Sequence, residues 1–201
     1  KEPANFKLIL KKLVKAHQDL IPLKFTPIRQ RITPFTAINS SFVLAASDHP
    51  YITLQEPRAG SVITIANAAR HLVCLGVKPV HMAVAFHCGD LNNNTNFWFL
   101  RELVFGVKEG AKAFQLHKVN EMFTKNNLLH PITDVITAGE GTVRCMPGFK
   151  KSGDFIIMIG SLRGETGSSM YADIIHNNLQ VGHPSTIDIV MESRLQEVIL
   201  Q

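Results

Sequence analysis

The period of apolar and polar positions changes along the 201 residues and divides them into distinct stretches. Over 5–20, Phe6, Ile9, Leu10, Leu13, Val14 and Leu20 recur close to helical spacing, with lysines opposite and Leu8 the one apolar exception there. That pattern predicts an amphipathic helix. The stretch 21–40 carries Pro22, Pro27 and Pro34 with little periodicity and reads as a surface linker. From 41 onward short β-type runs take over, most of them bounded by Gly, Pro, Asp or Asn. Strands are expected at 42–46, 51–55, 80–87, 132–137 and 154–159. Between them, 61–75 is apolar nearly all round, as a helix buried against a sheet would be, and Gly76 stands at a glycine C-cap position. A second helix over 96–115 is longer and more amphipathic. A further helix is expected from Met170, and in 182–201 Ser185 and Thr186 are N-cap candidates for a last helical stripe.

Strands and helices mix without regular alternation, so the expected class is α+β, a single mixed β-sheet with helices packed on one face. The expected organisation is an amphipathic helix and linker over 1–40, an α+β domain over 41–181 and the start of a truncated C-terminal domain over 182–201. The opening at Lys1, with no Met, is expected to be a cut within a longer polypeptide.

Composition narrows the function classes. With 45% hydrophobic and 18% charged residues the chain can bury a full core, and disorder is not expected. No apolar run approaches the roughly 18 residues that span a bilayer, so no membrane partner is expected. The net charge of +5 is spread out except for Lys7, Lys11, Lys12 and Lys15, which does not call for a nucleic-acid partner. A bound polyphosphate needs only a few positive groups and amide donors at one place. Cys74, Cys88 and Cys145 form no CxxC pair, which argues against a disulfide framework or structural zinc and for a reducing cytoplasm.

Three loci carry residue types suited to phosphate or metal. In 47–60, Asp48 and Glu56 flank a short run and Arg58-Ala59-Gly60 leads into the first buried helix; acidic oxygens beside a helix N-terminus can hold Mg²⁺ while free amides hold phosphates. The plainer alternative is turn carboxylates capping local structure. Asn67 and His71 are four apart and share a helix face, either as ligands or as a mutually satisfied surface pair. Gly164 to Ser169, with Gly167, Ser168 and Ser169 at its end, precedes a helix as an anion-binding turn does, and as an ordinary strand-to-helix turn does; the P-loop spacing is absent. His87, Cys88 and Asp90 at a strand end could be a nucleophile with its base, or could close a turn. Phe97, Trp98 and Phe99 read as a buried or lobe-facing aromatic cluster ahead of a base-stacking platform.

The run 47–79, SDHPYITLQEPRAGSVITIANAARHLVCLGVKP, resembles the segment of phosphoribosylformylglycinamidine synthases that reads roughly STDGxPxxxxLDPxxGAxxAVxEAxxNLVAxGxxP. The similarity continues through the aromatic helix at 96–115 and through HKVN at 117–120, where the family has a glycine-lysine or glycine-asparagine motif. KSGDFIIMIGSLRGETGSSMY at 151–171 resembles a GDxIxLLG strand followed by LGGSxY, and the tail resembles the entry to the family's C-terminal domain. Coverage is about residues 40–201. The resemblance implies the second-half, aminoimidazole-ribonucleotide-synthase-like N-terminal domain, whose sheet pairs with that of a sister lobe to make a barrel. The implied reaction is the ATP-dependent conversion of an amide to an amidine, a carbon-nitrogen ligation in purine biosynthesis, with ammonia delivered by a glutaminase domain or subunit.

By that resemblance Asp48, Gly60, Lys118, Gly167, Ser168 and Ser169 are the expected ATP or ADP contacts, and Asp48, Asn67 and His71 the expected metal positions. The catalytic histidine is expected in the family's first half, so no catalytic residue is expected here and the fragment alone is expected to be inactive. Asn67 and His71 stand where the family has glutamate and asparagine, and the tandem glycines have become Gly167-Ser168, so Mg²⁺ nucleotide is expected to bind weakly or not at all. Two other readings stay open: a non-catalytic assembly domain that forms a homodimer, and another ATP-dependent synthase or kinase of the same superfamily, which would usually carry an aspartate-rich cluster.

Overall fold

The computed structural model describes residues 32–37, 40–125, 130–145, 148–160, 163–178 and 180–201. Within them, strands β1 (Ile32–Ala37), β2 (Ser40–Asp48), β3 (His81–Cys88), β4 (His117–Lys125) and β5 (Ile132–Glu140) form one sheet in the order β1-β2-β5-β3-β4. β1, β2, β5 and β3 pair antiparallel and β3 pairs β4 in parallel, so the sheet is mixed. The helices are α1 (Pro50–Gln55), α2 (Pro57–Val73), α3 (Asn94–Ala113), α4 (Met170–His176) and α5 (Ile189–Ile199). Helix α3 is the crossover that a parallel β3–β4 pair requires.

The period-two pattern of β3 buries Met82, Val84, Phe86 and Cys88 on one face, and β5 does the same with Thr133, Val135 and Thr137. Helices α2 and α3 cover that face: Ile65, Ala66, Ala68, Ala69, Leu103 and Val107 join it in one core. A second cluster sets Leu72, Leu75 and Val77 against Val43 and Ala45 of β2. Full burial of Phe86, Ile65, Leu72 or Leu103 contributes about 1.5–3 kcal/mol each. Helix α2 is apolar nearly all round, as expected, and its buried hydroxyls are satisfied inside the helix, Ser61 on the Pro57 carbonyl and Thr64 on the Gly60 carbonyl. It stops where Gly76 turns to φ +76° and its amide reaches the Val73 carbonyl. Among the described residues no helix is long and apolar enough to cross a membrane.

Several local expectations are corrected. The helix expected at 5–20 lies outside the described residues, and the expected linker contains strand β1 at 32–37, paired along its length with β2. Residues 51–55 are helix α1 and not a strand. Pro50 sits in its first turn, and the His49 carbonyl takes both the Thr53 amide at 3.0 Å and the Thr53 hydroxyl at 2.6 Å, which outweighs the β-branched composition. Residues 154–159 form no strand: Phe155 is 101% and Ile157 83% exposed, and no described strand offers the run a ladder. Strand β4 was not expected. HKVNEMFTK alternates poorly and leaves most side chains exposed, so its extended form comes from parallel pairing with β3. The last helix is capped by Asp188, which accepts from the Val190 and Met191 amides, because Thr186 is engaged with Glu165.

The tightest helix contact is at Gly106 of α3, where an added Cβ would lie 2.2 Å from the Arg58 carbonyl oxygen. Gly106→Ala is therefore expected to cost about 1–3 kcal/mol, read as a lower urea midpoint with an unchanged slope; an unchanged midpoint would contradict this packing.

Candidate functional site

Pro50 and Pro57, each in a first helical turn, fix where α1 and α2 begin, and this brings His49, the N-cap of α1, over the side of α2 that carries Asn67. The Asn67 amide nitrogen donates to His49 Nε2 through a short hydrogen bond. Its oxygen accepts from Arg70 Nη1 at 2.5 Å. Arg70 in turn donates from Nε to Glu192 Oε1 of α5 at 2.7 Å, and Gln196 donates to the same oxygen at 2.8 Å. His49, Asn67, Arg70 and Glu192 line one wall of a cleft of about 580 Å³, bounded on the other side by Arg163, Glu165, Thr186 and Asp188. That volume is in the range of small-molecule sites. His71 lies one turn beyond Asn67, half-buried, and its charge acts on His49.

Burial holds His49 below its ordinary 6.5; Arg70 and His71 push the same way, while Asp48 opposes them. A ring nitrogen that accepts from the Asn67 amide is necessarily unprotonated, so the hydrogen bond and the pKa direction agree.

The expected residues are only partly gathered. Asp48 ends β2, exposed, beside His49 and opposite Asp134 in the β2–β5 register. Glu165 of the small-residue turn reaches the cleft, but Gly167 gives its amide to the His183 carbonyl, and Ser168, at φ +52°, donates to Gln55 of α1 at 2.5 Å. Ser169 caps α4 by accepting the Ala172 amide. This turn is therefore docked on α1, a contact extended by Tyr51 donating to Asp173. Gly60 sits at a packing position: its amide is bonded to the Glu56 carbonyl, and an added Cβ would meet the Thr53 backbone at 2.7 Å where α1 and α2 cross. Lys118 pairs with Glu121 and sits opposite Met82, near the start of β3, away from the sheet end that holds Asp48 and Asp134.

The residues at the expected metal positions do not fit Mg²⁺. Asn67 has both ends engaged, one of them on a guanidinium, and among the described residues no three His, Cys, Asp or Glu side chains converge on a point. The nucleophile reading of Cys88 also fails, because its side chain faces the helix-covered core and burial pushes its thiol up, whereas Asp90 accepts from Asn92 to close a turn. His87 instead faces the open side of the sheet, with Nδ1 2.6 Å from the Thr124 hydroxyl and Nε2 2.8 Å from Asp134. Of the aromatic trio, Phe97 and Trp98 are exposed, while Phe99 stacks on His130 at 4.6 Å.

His49, Arg70, Glu192 and Gln196 are the site residues that sequence reasoning missed. The available signal was spacing: Arg70 lies three after Asn67, and Gln196 four after Glu192. Because the fold binds a proton at His49 less readily than the unfolded chain, this stabilising contribution is full above pH 6.5 and is lost as pH falls below that value. The stability advantage of the wild type over His49→Gln, measured by chemical unfolding, is expected to shrink as pH drops through 6.5; an advantage that grows on acidification would reverse the assignment.

Comparison with known proteins identifies the family and the fold. Residues 37–140 match the AIR synthase related protein, N-terminal domain. Phosphoribosylformylglycinamidine synthase subunit PurL of Symbiobacterium thermophilum is 34% identical over 155 residues, 72% of this chain and 20% of that one. The subunit of Caldanaerobacter subterraneus is 30% identical over 154 residues, 73% of this chain and 21% of that one. The chain thus spans about a fifth of the length of the curated relatives it matches. Phosphoribosylformylglycinamidine synthase II of Thermotoga maritima shares the fold, with a TM-score of 0.53 at 14% identity over 61% of this chain and 22% of that one. Structures of the Thermotoga protein with ATP (TM-score 0.50, 13% identity, 56% and 20% covered) and as PurLQS (0.51, 14%, 58% and 21%) show the same fold. The chain belongs to the AIR synthase related protein family, whose N-terminal domain it carries at residues 37–140.

Proposed function

We propose that this chain is one lobe of a phosphoribosylformylglycinamidine synthase, the ATP- and glutamine-dependent ligase that makes formylglycinamidine ribonucleotide in purine synthesis, and that it is a structural lobe with at most an ancillary nucleotide. The observation that carries the reading is the similarity to PurL subunits across nearly three quarters of the chain. The missing donor set at Asn67 and His71 supports a structural role over a catalytic one.

The face of the sheet that no described element covers supports a lobe partner. Its centre is apolar, with Ile136 45% and Met122 50% exposed beside Ala83, Ala85 and Ala138, and its rim carries Asp48, Asp134 and His87. Such a face is complementary to a second sheet of the same fold, a sister lobe or another copy of this chain. A glutaminase domain or subunit completes the ligase in this reading, in keeping with the PurLQS structure of the Thermotoga protein, and its proposed location is the cytoplasm.

Sedimentation of the isolated chain at micromolar concentration is expected to show a dimer, and Ile136→Glu a monomer. A monodisperse wild-type monomer would count against lobe pairing. The ancillary nucleotide is read separately by calorimetry with ATP and ADP. Binding weakened about tenfold by Asp48→Asn keeps the nucleotide in the reading, and no heat at millimolar nucleotide removes it.

A further inference from the structure

We infer that the Asn67 position takes no divalent cation and that the Arg70 guanidinium is the fixed positive charge there, stapling α5 onto α2. The inference rests on the lobe reading only in taking Asn67 as a family metal position. A Mg²⁺ ion needs oxygen atoms with free lone pairs in near-octahedral array. The Asn67 oxygen instead receives Arg70 Nη1 at 2.5 Å, so an ion at that oxygen would sit against a like charge. The other end of the amide is held by His49, so rotating it to present oxygen elsewhere would break two hydrogen bonds.

The same guanidinium has a second attachment. Its Nε binds Glu192 Oε1 at 2.7 Å, with side-chain exposures of 38% for Arg70 and 12% for Glu192. Glu192 also accepts from Gln196, and buried Gln196 donates to the Ala66 carbonyl of α2 at 3.1 Å. One line of hydrogen bonds therefore runs from the N-cap of α1 through α2 to α5. A carboxylate as enclosed as that of Glu192 requires a counter-charge, and the only guanidinium or ammonium paired with it among the described residues is Arg70.

The test uses the 201-residue chain with MgCl₂ alone as the probe, so its outcome is separate from nucleotide binding and from lobe pairing. Calorimetry is expected to show no saturable heat up to millimolar Mg²⁺, and Tm is expected to be equal in MgCl₂ and EDTA. Arg70→Gln is expected to lower Tm by about 3–6 °C. Adding Glu192→Gln to that variant is expected to recover part of the loss, because the orphaned carboxylate is removed. If Arg70→Gln does not fold, Arg70→Lys takes its place, with a smaller loss expected. Saturable Mg²⁺ binding, a Tm raised by Mg²⁺, or a wild-type Tm in the Arg70 variants would each overturn the inference.

Discussion

Burial of α2 is the constraint on which the rest of this lobe depends. Ala66, Ala68 and Ala69 bring its backbone close to the sheet, and the Thr137 hydroxyl of β5 donates to the Ala68 carbonyl at 2.8 Å. A helix so enclosed cannot slide or rotate without opening cavities, because protein interiors are close-packed. Its polar side chains at 67 and 70 therefore emerge at one fixed edge, and everything in the cleft is positioned from there. The orientation of the site is thus a property of the core before it is a property of the loops around it.

Legibility in the sequence followed the strength of the period. The long runs at 61–75 and 96–115 and the alternating strands at 80–87 and 132–137 were readable because burial imposes a period that composition cannot hide. Short elements were not. YITLQ carries strand-type residues but takes its conformation from Pro50 and the His49 carbonyl, a capping effect that outweighs propensity over so short a span. HKVNEMFTK shows the opposite case, a strand dictated by its neighbour, whose side chains hold no buried face to reveal it.

For the cleft, the sequence pointed to the helix face that carries Asn67 but not to the partners that engage it. Asn67 and His71 were legible as a spaced pair, but the residues that engage Asn67 come from one helix turn away and from the start of α1. Glu192 lies 122 positions from Arg70, and no local pattern announces a pair at that separation. The packing role of Gly60 was equally hard to read, since a close backbone approach and an anion both select for a missing side chain.

The place of β5 in the sheet has a consequence for the order of assembly. It is the last strand among the described residues, yet it inserts between β2 and β3, joining residues 92 positions apart at Ala45 and Thr137. Until residue 140 is available, β1–β2 and β3–β4 are two separate ribbons, each with an unsatisfied edge. A growing chain cannot complete this sheet in sequence order, and the high contact order makes its closure a slow, all-at-once step. Closure of the sheet therefore waits on a single late strand.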